Sequence, residues 1–77
     1  MEIKVLGPGC ANCHKLEART REALAALGRD DVIEAVTDPA AIVGYGVMRT
    51  PALVVDGTVV VSGTVPKVAE LTALLGG

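Results

Sequence analysis

The chain contains no Trp and no Phe, and Tyr45 is its one aromatic residue. Stacking platforms for single-stranded nucleic acid are built on aromatic side chains, so that class of partner is excluded. Positive charge is also scarce: seven Lys and Arg stand against nine Asp and Glu, for a net charge of −2. Except for Lys15, Arg19 and Arg21 on one segment, the basic residues are scattered, whereas a phosphate-backbone footprint needs a basic patch. No run of about 18 residues is free of charges and turn formers, so no membrane span is expected. The opening Met1-Glu2-Ile3-Lys4-Val5 lacks the apolar core of a secretory leader, and the expected compartment is the cytoplasm. Finally, the chain has two cysteines, Cys10 and Cys13. A disulfide across so short a loop yields only about 2 kcal/mol in the chain-entropy model, so a stapled scaffold is excluded.

What is present is aliphatic. Hydrophobic residues make up 51% of the 77 positions, too much apolar surface for a disordered chain. That length sets one domain over residues 1–77. So small a domain buries about 60% of its unfolded surface. Its core contributes roughly 3–5 kcal/mol net, too little to enclose a large cavity. Function is therefore expected at the surface, at the end of an element.

The apolar spacing predicts β-α-β-α-β-β-α. Glu2–Leu6 reads as a strand, followed by the break Gly7-Pro8-Gly9. Cys13, Leu16, Thr20, Ala23, Leu24 and Leu27 then recur on one helical face, and Gly28 caps the end. Val32–Val36 is a second strand, and Thr37-Asp38-Pro39 starts a short helix over Ala40–Tyr45. Ala52–Val55 and Thr58–Ser62 are strands joined by the hairpin signal Asp56-Gly57. Val65-Pro66 opens a last helix, with Val65, Val68, Leu71, Leu74 and Leu75 at helical spacing. Strand–helix–strand implies a parallel pair and the hairpin an antiparallel one. The expected fold is α/β, a mixed four-stranded sheet flanked by helices.

The chemistry lies in Gly9-Cys10-Ala11-Asn12-Cys13-His14. Cys10 falls where a strand hands over to a helix. The orphan N–H groups of the first helical turn and the helix dipole favour an anion there, so the Cys10 thiolate is stabilised. Cys13, one turn on and on the apolar face, is expected to be buried and less acidic. These are the two roles of a dithiol exchanger: Cys10 attacks a disulfide and Cys13 resolves the mixed disulfide. Thr50-Pro51 directly precedes a strand, a position that tolerates proline. A cis bond there is open on sequence grounds, X–Pro being cis in about 5–6% of folded cases.

This layout resembles the thioredoxin-like fold: CxxC at a strand-to-helix junction, Thr-Pro before the third strand, an Asp-Gly hairpin and a closing helix. It is similar to the small single-domain thioredoxin and glutaredoxin-like proteins of bacteria and archaea, over essentially the whole chain. The resemblance implies that Cys10 is the nucleophile and Cys13 the resolving thiol. It also implies that Pro51 is cis and packs beside the pair, and that the backbone of Thr50 holds the substrate segment. Protein disulfides are the implied substrates, a flavoprotein disulfide reductase or glutathione the electron donor, and a monomer the simplest state. No cofactor is needed, because the disulfide itself carries two electrons. The sequence departs from the family at several points. Typical thioredoxins carry Trp before the motif and Gly-Pro inside it, and glutaredoxins Pro-Tyr inside, whereas here Gly9 precedes and Ala11-Asn12 intervene. No strand offers a buried acidic residue as proton acceptor for Cys13, and Lys4 is the charged residue inside the first strand.

Other readings of the same residues are weaker. Cys-x-x-Cys-His is also a haem attachment pattern, but haem needs export and a large apolar pocket. A soft-metal module binding Cu(I) or Zn(II) through the pair is the main alternative. Such domains run β-α-β-β-α-β and usually have Met where this chain has Pro8, and they do not end in a helix like Val65–Leu75. Inert core cysteines do not account for the spacing or the placement. The remaining residues have structural readings: Tyr45 as packing, Asp38 as a cap, Lys15, Arg19 and Arg21 as a solvated helix face. Pro8, Met48 and Val65 are expected to form an apolar rim around the pair.

Overall fold

The computed structural model describes residues 1–76. The first strand, β1 (Ile3–Leu6), has a pleat that sends Ile3 and Val5 to one face and Lys4 and Leu6 to the other. Both faces are covered, which is why the strand is apolar apart from Lys4. Helix α1 (Ala11–Ala26) follows, then β2 (Ile33–Val36), the short α2 (Pro39–Gly44), β3 (Ala52–Val55), β4 (Thr58–Ser62) and α3 (Val68–Gly76). The sheet order is β2-β1-β3-β4. β1 runs parallel to β2 and antiparallel to β3, with Val5 opposite Leu53 and Leu6 opposite Ala52. The architecture is the expected mixed sheet with helices on both faces.

Two apolar clusters follow from the pleat. On one face Ile3, Val5, Leu53 and Val61 pack under α1 and α3 through Leu16, Ala23, Leu24, Leu71 and Leu75. On the other, Leu6, Ala52 and Val54 pack under α2 through Ile42, joined by Val47. The helical face anticipated for α1 is the buried one: Cys13, Leu16, Thr20, Ala23 and Leu24. Thr20 is fully buried yet satisfied, its hydroxyl donating to the Leu16 carbonyl at 2.7 Å. Asp38 caps α2, accepting from the Ala40 N–H at 3.3 Å. The Asp56-Gly57 turn has positive φ at both residues, +49° and +82°, as a two-residue type I′ hairpin requires. Asp56 also ties this turn to β1: its carboxylate accepts from the Glu2 N–H at 2.7 Å, and its own N–H donates to the Glu2 carbonyl at 2.8 Å.

Three expectations are corrected besides the ends of β1, which starts at Ile3 and not at Glu2, and of α2, which spans Pro39–Gly44 and not Ala40–Tyr45. β2 starts at Ile33, where pairing with Ile3 of β1 begins, and Val32 before it is 83% exposed. α3 starts at Val68 and not at Val65, since the residue before a proline is driven out of the helical region. Third, Arg19 is not part of a solvated face. Its guanidinium Nη1 donates to the carbonyls of Val65 and Pro66, 3.2 Å from each, and so fastens the loop before α3 onto α1. Val65 is thereby packed against the first cluster instead of forming an open rim, whereas Pro8 and Met48 are exposed.

Candidate active site

β1 delivers the chain into Gly7-Pro8-Gly9, and Gly9 turns it with φ +86°. Cys10 then occupies the N-cap of α1 with extended backbone, φ −73° and ψ 171°. Its Sγ takes the place of the usual capping oxygen and accepts from the Cys13 N–H at 3.3 Å. Both cysteines are free thiols, Cys10 exposed and Cys13 buried at 5% exposure.

The two sulfurs are driven apart in acidity. The Cys13 thiol, hydrogen-bonding toward the Cys10 sulfur, holds the Cys10 thiol below its ordinary range, and the Cys13 backbone N–H adds to this. Burial pushes the Cys13 thiol above its ordinary range, and its bond to Cys10 does so further. One proton is thus kept on the inner sulfur while negative charge is favoured on the outer one.

The second expected element of the site lies across from this pair. The Thr50-Pro51 peptide is cis, with Thr50 exposed and Pro51 buried. The segment is held by β4 and the loop after it: the Ser62 hydroxyl donates to the Arg49 carbonyl at 3.1 Å, and the Gly63 N–H to the Pro51 carbonyl at 2.9 Å. Gly7 is the junction between the two parts. A Cβ built on it would stand 3.5 Å from Cys13 Cβ and 3.7 Å from Thr50 Cβ, and would overlap Cys13 Sγ. The fold therefore brings Cys10, Cys13, Thr50 and Pro51 to one end of the sheet. Gly7 is the residue that sequence reasoning missed, since in a Gly-Pro-Gly break nothing distinguishes clearance from turn formation. A surface hollow of about 340 Å³ lined by Met1, Glu2, Lys4 and Val32 lies at the opposite end of β1, away from the pair.

A thioredoxin domain family model matches residues 1–76. The chain belongs to the thioredoxin family. It is 37% identical over 75 residues to a thioredoxin of Methanothermobacter thermautotrophicus, covering 97% of each chain. A thioredoxin of Methanocaldococcus jannaschii is 33% identical over 69 residues, 90% of this chain and 79% of that one. A thioredoxin fold with its CxxC pair at the first helix N-terminus is built for thiol–disulfide exchange. The metal-binding alternative gains no support from these matches, which are to thioredoxins. No helix among those residues is long and apolar enough to cross a membrane.

Proposed function

We propose that the protein reduces disulfide bonds in other proteins, with Cys10 as nucleophile and Cys13 as resolving thiol. The observation that carries this reading is the split between the two sulfurs, one exposed and acidified at a helix N-cap, the other buried and kept protonated. Cys10 thiolate attacks a substrate S–S bond, forming a mixed disulfide and expelling the first substrate thiolate. Cys13 then gives up its proton and attacks Cys10 Sγ. The Cys10–Cys13 bond forms, the mixed disulfide breaks and the second substrate thiolate leaves, so two electrons have passed to the substrate.

Thr50, exposed beside the buried Pro51, offers its backbone to an extended substrate segment. Exposed Pro8 and Met48 supply apolar docking area, Met48 being 94% exposed. Electrons are returned to the pair by a flavoprotein disulfide reductase or by glutathione. The protein acts as a cytoplasmic monomer, with residues 1–77 as one domain.

Insulin reduction in the presence of dithiothreitol tests the assignment. Wild type accelerates precipitation of the insulin chains, Cys10→Ser does not, and Cys13→Ser accumulates a covalent adduct at Cys10. Full activity in Cys10→Ser would overturn the assignment.

A further inference from the structure

Gly7 is not glycine for its backbone. Gly9 lies in the left-handed region, with open space where its Cβ would be. Gly7 shows the reverse: it lies outside that region, is buried, and has Cys13 Sγ in the volume a side chain would fill. Its backbone is pinned, the N–H donating to the Val36 carbonyl at 3.0 Å, so β1 cannot easily retreat. Cys13 Cβ is likewise fixed by the first turn of α1. The sulfur therefore leaves that volume only by changing χ1, and a helical backbone permits few alternatives. The neighbouring Thr50 Cβ, at 3.7 Å, makes ordinary contact, so the clearance serves the sulfur specifically.

We propose that Gly7 is a positioning residue for the resolving step: its missing side chain holds open the space from which Cys13 Sγ attacks Cys10 Sγ. This inference rests on the function proposed above. Thiol–disulfide exchange needs three sulfurs nearly in line, and misplacing a reacting atom by about 1 Å costs up to roughly 100-fold in rate. In that step Cys13 loses its proton to solvent, the Cys10–Cys13 bond forms, the bond from Cys10 to the substrate sulfur breaks, and the substrate thiolate departs. Gly7 reaches the first attack only through the Cys13 thiol that hydrogen-bonds toward Cys10 Sγ, and that influence vanishes at a pH above the ordinary thiol range, where Cys10 is a thiolate with or without the bond.

The test uses a nitrobenzoate disulfide whose released thiolate is coloured, so the two releases, from attack and from resolution, are timed separately. Measured above the ordinary thiol range, where Cys10 is ionised in both proteins, the first release of Gly7→Ala stays within about twofold of wild type and the second slows roughly tenfold or more. A second release at the wild-type rate, or equal slowing of both, overturns the proposal. Folding is measured in parallel for Gly7→Ala and Gly7→Ala/Cys13→Ala. If Gly7→Ala is unstable or unfolded, removal of the sulfur in the double variant restores the fold. Loss of the fold in both variants overturns the proposal. If wild type itself gives no second release, the function proposed above fails and the positioning role fails with it, whereas a wild-type second release that Gly7→Ala leaves unaltered overturns the positioning role alone.

Discussion

Arg19 and Arg21 sit two residues apart on α1, and substitution should separate them sharply. Arg21 is 63% exposed and pairs with Glu17 one turn back at 3.2 Å. Exposed pairs of this kind contribute about 0.3–0.5 kcal/mol. Arg19 is half-buried, and its Nη1 is shared between the Val65 and Pro66 carbonyls at 3.2 Å each. Hydrogen bonds from a charged donor contribute about 1.5–3 kcal/mol when well formed. These are long and share one nitrogen, which places the pair together at about 1–2 kcal/mol. Methionine keeps most of the aliphatic stem and removes the donor, so Arg19→Met isolates the bonds from the packing. In a domain of this size the loss corresponds to a fall in Tm of roughly 4–16 °C. Urea unfolding of Arg19→Met, Arg21→Met and wild type reads the difference as a midpoint shift at constant m value. Equal midpoints for the two variants would refute the reasoning and return Arg19 to a solvated helix face.

Three further outcomes follow from the packing and the site. Leu16→Ala removes a fully buried side chain one turn past Cys13 and should cost about 2–5 kcal/mol in urea unfolding; a loss under about 1 kcal/mol would contradict the packing. Gly57→Ala places a Cβ at φ +82° in the hairpin and should cost on the order of 1 kcal/mol, read from the thermal midpoint, whereas an unchanged midpoint would contradict the turn assignment. The pH dependence has two opposite parts. Cys10, lowered in the folded state, adds stability that is present above the ordinary thiol range and lost as pH falls through its folded value. Cys13, raised by burial, adds stability that is present below that range and lost as pH rises through its own. Iodoacetamide labelling should accordingly modify Cys10 first, its rate rising at a pH below the ordinary thiol range, and equal labelling of both cysteines would contradict the split.

Periodicity made much of this molecule legible. The 3.6-residue recurrence from Cys13 to Leu24 on α1 reflects burial on one side, and that side is the buried one. Asp56-Gly57 was readable because few dipeptides accept positive φ twice. The position of Cys10 at the strand-to-helix junction was readable from where the period changes, and with it the asymmetry of the two thiols. The start of α3 was misread because Val65 continues the apolar spacing, although Pro66 already argued against helix at that residue. Arg19 and Gly7 were not legible at all. An arginine bridging to carbonyls 46 and 47 residues away, or a glycine vacating space for a sulfur on the next element, carries no local signal. The first depends on distant segments meeting, the second on how α1 sets its side chains against the end of β1.

In the proposed function Cys10 and Cys13 form one reversible two-electron couple. Equilibrating the protein in graded glutathione buffers, alkylating the free thiols and weighing the products tests it most directly. Two species are expected, dithiol and intramolecular disulfide, interconverting at a potential between about −200 and −300 mV. A chain that collects glutathione on single cysteines and never closes the Cys10–Cys13 bond would contradict it.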